Sequence, residues 1–207
     1  DSDTILLEAR GGQLELAGNI SFGSGILSLL ARDDIVQRAG SQIDHPGGQL
    51  DIGSQAGRFI QESGALASTA AALSGNVRIA APAGIVIDAL DAGSGGMALL
   101  STSGSVSVSD DDAETDLVAG SLLIDAGGAA GGLGLAGRPI DVSQTRLAMR
   151  AGSSVGIQST AGLVIAPVSI AVARVDATKL EGTGSPIPGG TVTRSTLTLS
   201  GVKLAPG

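Results

Sequence analysis

Cysteine, tryptophan and tyrosine are absent, and the only aromatic side chains besides one histidine are Phe22 and Phe59. Without cysteine there is no disulfide, no thiolate metal site and no cysteine nucleophile. Without large rings, each of which buries about 150–250 Å², a core has to be assembled from many small layers of Leu, Ile, Val and Ala. Basic residues are also few: 12 Lys and Arg stand against 20 Asp and Glu, for a net charge of −8. The twelve are scattered, whereas phosphate backbones and anionic membrane surfaces call for cations gathered on one face, so neither nucleic acid nor membrane is expected as a partner. No apolar run approaches the roughly 20 residues of a spanning helix. The opening Asp1-Ser2-Asp3 has no Met, no basic start and no apolar segment, so the chain reads as a processed or excised piece.

Glycine is abundant, with 33 in 207 residues, and it punctuates a repeat. Ile35-Val36-Gln37-Arg38-Ala39-Gly40-Ser41 returns as Phe59-Ile60-Gln61-Glu62-Ser63-Gly64-Ala65, Gln and Gly both recurring after 24 positions. The preceding strands match as well, Leu27-Ser28-Leu29-Leu30-Ala31 against Leu50-Asp51-Ile52-Gly53-Ser54 at a spacing of 23. Further copies begin at Ile5, Val77, Ala98 and Leu122, and weaker ones at Leu147 and Ile170-Ala171-Val172-Ala173-Arg174, with spacings from 21 to 27. A period of this length is the mark of a solenoid.

Within each unit, strands of two to five residues alternate at period two; Leu14, Leu16, Ile20 and Phe22 fall on one side. No period-3.6 stripe is present, and glycine is too frequent for helices. One coil buries nothing, but coils stacked about 4.8 Å apart turn inward Leu, Ile and Val into continuous ladders. The predicted fold is therefore all-β, a right-handed parallel β-helix of about nine coils of 20–28 residues over 1–180, with residues 181–207 a linker and a terminal strand that closes the last coil or pairs with a neighbouring chain. Neither end shows a cap.

Three segments interrupt the pattern. Ala65 to Asn76 lengthens one unit, read as a strand of small residues in preference to a short helix. Asp110, Asp111, Asp112, Glu114 and Asp116 put five acids in seven residues. A calcium loop is one reading, because hard cations take several carboxylate oxygens. A solvated acidic corner is preferred, because calcium β-rolls repeat Gly-Gly-x-Gly-x-Asp and Gly131-Gly132-Leu133-Gly134-Leu135 lacks the aspartate. The third is the Gly182 to Gly190 turn segment and the alternating Thr191 to Ser200.

Catalytic chemistry finds little support. His45, the only histidine, lies in Asp44-His45-Pro46-Gly47 and is expected to be a solvated turn residue. A carbohydrate-active β-helix would place acids from stacked coils on one face, for which Asp88, Asp91, Asp125 and Asp141 are the candidates, but aromatic platforms for sugars are missing. Gly127 to Gly132 has no following Lys-Ser or Lys-Thr and reads as a packed loop. No enzyme, cofactor or catalytic residue is expected.

Asp34-Ile35-Val36-Gln37-Arg38-Ala39-Gly40-Ser41, Phe59-Ile60-Gln61-Glu62-Ser63-Gly64-Ala65-Leu66, Ala83-Gly84-Ile85-Val86-Ile87-Asp88 and Ser103-Gly104-Ser105-Val106-Ser107-Val108 resemble repeats of filamentous-haemagglutinin-like exoproteins and related giant bacterial adhesins. The resemblance is one of repeat style and runs from about Ile5 to Ala173. It implies an exported, extracellular or cell-surface rod, spacer or fibre-forming segment. Its implied partners are copies of itself end to end, the rest of a larger polypeptide, or a cell-surface or matrix ligand met through loops. The sequence departs from the family in lacking an Asn-rich secretion module, and no functional residue carries over.

Overall fold

A computed structural model describes residues 3–110, 114–134, 137–159, 161–175 and 192–204. Every element among them is a β-strand, and the strands stack in parallel as a β-solenoid. One turn shows the plan: β4 (Gly25–Ala31), β5 (Ile35–Gln37) and β6 (Gln42–Asp44) form three faces, preceded by β1 (Asp3–Ala9), β2 (Leu14–Leu16) and β3 (Ile20–Ser21). The first face continues through β7 (Gln49–Ser54), β10 (Val77–Ala80), β13 (Gly96–Leu100), β15 (Leu117–Ala126) and β16 (Ile140–Ala151). The second runs through β8 (Phe59–Gln61), β11 (Ile85–Ile87) and β14 (Val106–Val108); the third runs through β9 (Leu66–Ser68), β12 (Ala89–Asp91) and the leading half of β15.

The register explains the core. Leu27, Leu50, Val77, Met97, Leu122 and Leu147 stand in one column of the first face, and Leu29, Ile52, Ile79, Leu99 and Ile124 in the next inward one. All are buried. Ile35, Phe59, Ile85 and Val106 do the same on the second face, and Ile43, Ala67, Leu90 and Leu117 on the third. Both phenylalanines take part, Phe59 fully and Phe22 partly buried. At the corner before the first face the rungs come so close that a Cβ on Gly75 would strike Gly48 O, and one on Gly95 would strike Gly75 O. Glycine is what lets these backbones touch.

The structure corrects the sequence reading in several places. Seven strands stacked on the first face make about six turns, fewer than nine. Met97 aligns with Val77, one residue before the alignment of Ala98; because side chains alternate faces, this slip decides that Met97 points inward and Ala98 outward. The 65–76 segment bears out the strand reading over its first part, as β9, and continues as a turn.

The copy at Ile170–Arg174 is not a rung at all. It belongs to β18 (Val168–Val175), which pairs antiparallel with β19 (Val192–Leu199), so the terminal strand finds its partner within its own chain. The next strand, β20 (Val202–Leu204), then returns to the stack and pairs parallel with Met149–Ala151, covering part of the last rung. Residues 182–190 and the boundary at 180 lie outside the described residues.

Candidate functional site

The β18–β19 hairpin lies lengthwise along the outside of the first face, crossing its rungs. Val168, Ile170 and Val172 pack on Ala98, Leu123 and Ala148, outward positions of three successive rungs. Toward the other end Ala173 and Val175 pack on Ile26 and Leu6, with Val175 N donating to Ser28 Oγ at 2.9 Å. Asn76 Nδ2 donates to Ala171 O at 2.6 Å. Outward side chains that a bare solenoid would leave wet are thus buried.

Under the middle of the hairpin sits Asp51, 1% exposed. Its Oδ1 accepts from Arg78 Nη1 at 2.5 Å and its Oδ2 from Arg174 Nε at 3.0 Å. One carboxylate between two guanidiniums leaves one positive charge in excess. Arg78 is Asp51's neighbour on the adjacent rung; Arg174 comes from the hairpin, 123 residues away. The Arg174 guanidinium lies over Gly53, where a Cβ would come within 2.5 Å of Nη2. Arg174 Nη1 and Nη2, and Arg78 Nε and Nη2, have no hydrogen-bond partner among the described residues.

Arg78 and Arg174 line a cavity of about 350 Å³ together with Leu30, Gly53, Ala80, Pro82 and Leu100, and with the polar Gln55 and Thr102. The floor follows from the register: Leu30, Gly53, Ala80 and Leu100 are one outward column. Repeat-style reading locates Asp51 and Arg78 at equivalent positions of successive units, so their pairing was legible in principle. Nothing local announces Arg174.

The acids singled out from the sequence are occupied elsewhere. Asp88 joins three rungs, accepting from Gly64 N at 2.7 Å and from Ser109 Oγ at 2.6 Å. Burial pushes its carboxyl up, the Ser109 and Gly64 bonds work against that, and neighbouring Asp110 adds to the rise. Asp91 accepts from Gly93 N. Asp125 holds Arg150 through both oxygens, at 2.8 and 2.6 Å, on the first face. Asp141 donates its N–H to Asp116 Oδ2 at 2.6 Å. Asp91 stands in the column of Val118 and Ser143, Asp125 in that of Leu100 and Arg150, so these two acids do not share a face.

Of the calcium candidates, Asp111 and Asp112 lie outside the described residues. Asp110 stands beside Asp88, and Asp116 is buried with its carboxylate on a backbone N–H. Among the described residues no three His, Cys, Asp or Glu side chains are gathered as a metal ion requires.

His45 is buried, against expectation. Its ring stacks on Phe22 with centroids 5.0 Å apart, and Nδ1 meets Phe22 O at 2.9 Å. Nε2 is buried with no partner among the described residues. The stacked coil places residue 45 in the interior directly below residue 22, which a turn motif does not reveal.

Set against protein-family models, curated proteins and solved structures, the chain matches none.

Proposed function

We propose that this chain is a non-enzymatic structural segment, a rod or spacer, of an extracellular bacterial surface protein of the filamentous-haemagglutinin-like kind. The observation that carries the reading is how the polar side chains are used. Asn19, Asp34, Asp88 and Asp116 each spend a side-chain oxygen on a backbone N–H of the adjacent rung, and Arg38 ties Glu15 to Glu62 across three rungs. Chemistry that would otherwise be free for substrates goes into holding coils together.

The winding is proposed to be right-handed, because connections between parallel strands of one sheet overwhelmingly are. Six turns at the strand spacing give a rod of about 30 Å. Among the described residues, β1 pairs with β4 alone and offers an open edge, which supports end-to-end assembly with another copy or with more of its own polypeptide. Electron microscopy of the purified chain should show short rods joining into linear fibres; only globular single particles at every concentration would defeat the assembly reading.

A second reading, a receptor-binding segment acting through loops, is favoured by Leu73, 87% exposed in the loop that follows β9. Deleting that loop should abolish attachment of coated beads to target cells. Unchanged attachment would eliminate it.

A further inference from the structure

We propose that the cavity beneath Arg174 is a binding site for a small organic carboxylate with an apolar body. The inference goes beyond the rod reading and stands or falls separately from it.

Three observations converge. The first is charge: in a chain of net −8, Arg78 and Arg174 share only Asp51, which leaves one positive charge beside the cavity. The second is unused donors. Asp51 takes one N–H group from each guanidinium and fixes both in place, while Nη1 and Nη2 of Arg174 and Nε and Nη2 of Arg78 have no hydrogen-bond partner among the described residues. The planar fork of a guanidinium matches the two oxygens of a carboxylate, and a fork already held by a buried anion loses little freedom on binding. The third is shape. At about 350 Å³ the cavity is in the range of small-molecule sites, and its floor is Leu30, Gly53, Ala80 and Leu100, an apolar strip.

That strip is bounded along its own column. Glu8 stands on the rung before Leu30, and Asp125, neutralised by Arg150, on the rung after Leu100. Glu8 in turn is engaged by Arg10. The positive end of the cavity therefore meets no uncompensated carboxylate along this column.

Benzoate, benzyl alcohol and acetate separate the two requirements, because benzyl alcohol keeps the ring without the charge and acetate the charge without the ring. Followed by amide chemical shifts of Gly53, Arg78 and Ala80, benzoate should bind about tenfold or more tightly than either, the difference being a charge-assisted contact against benzyl alcohol and burial of the ring against acetate, and should weaken with added salt. Ala80→Phe fills the floor while keeping all three charged side chains, and Arg174→Gln removes the fork; each should reduce benzoate affinity about tenfold or more. Should Arg174→Gln fail to fold, the Ala80→Phe result decides. No benzoate binding, equal binding of benzyl alcohol or acetate, or binding that survives either folded variant would overturn the proposal.

Discussion

Gln61 shows what a repeat position does when it is buried. Its Nε2 donates to Gln37 Oε1 and to Ala89 O, each at 3.1 Å, while its Oε1 accepts from Asp88 N; Gln37 in turn donates to Ser41 O and Leu66 O. Both side chains are fully buried, so this ladder is paired throughout and closes the corner between the second and third faces. Gln61→Leu leaves the Asp88 N–H, the Ala89 carbonyl and Gln37 Oε1 without their partner. It should cost about 2–4 kcal/mol in urea unfolding, as buried unsatisfied groups do. A change near zero would mean that water or a shifted backbone replaces the ladder.

Protonation at the residue scale carries opposite signs. Asp88's raised carboxyl pKa means that the folded chain holds its proton more tightly than the unfolded chain. Its contribution is fully present below the usual aspartate value and is lost as pH rises through the raised one. Glu15 and Glu62 are lowered, Glu15 chiefly by Arg38 and Glu62 by the Ala39 N–H and then Arg38; what they contribute is present above the usual glutamate value and lost as pH falls. Asp88→Asn keeps the size and stays neutral. Urea midpoints should therefore shift in its favour relative to wild type as pH climbs from about 4 to 7; a constant offset across that range would refute the assignment.

Among the elements, the β18–β19 hairpin is held by one ion cluster and by apolar contacts toward both of its ends. Removing a single partner of a buried charge pair typically costs about 3–5 kcal/mol, and Asp51→Ala leaves two guanidiniums facing each other under the hairpin. It should destabilise by that order and expose the Ala98, Leu123 and Ala148 strip, read as new binding of a hydrophobic dye. Arg174→Ala alone should cost less, because that side chain is 42% exposed and Asp51 keeps Arg78. Equal costs for the two would place the energy elsewhere.

For the whole molecule the hairpin changes how the solenoid unfolds. Stacked rungs contact only their neighbours, which lets ends fray independently. The β18 strand reaches from Val168 beside Leu123 and Ala148 to Val175 at Ser28, so it ties early rungs to late ones. The wild-type chain should unfold in one transition. Ile170→Asp, which buries a charge at the centre of the strip, should split that transition or lower its denaturant slope, with probes at the two ends no longer coincident. A single undiminished transition in this variant would show that stacking alone supplies the cooperativity.

The sequence by itself determined the all-β stacking, the inward ladders and the glycine corners, because these follow from a period near 24 and an alternation of two that any parallel stack must satisfy. It placed Gln37 over Gln61 from their spacing alone. It did not fix the register at Met97-Ala98-Leu99-Leu100, where four apolar residues in succession leave the inward face ambiguous. Nor did it separate a rung from a strand laid across rungs: Ile170–Arg174 alternates as well as Leu147–Ala151 does. Only tertiary structure decided that His45 stacks inside on Phe22, that Asp51 is buried between two arginines, and that a cavity opens beside them. The last two depend on Arg174 reaching the outside of the sheet from 123 residues away, a distance of which hydrophobic period carries no record; the first depends on a turn residue facing inward, which its Pro-Gly motif does not announce.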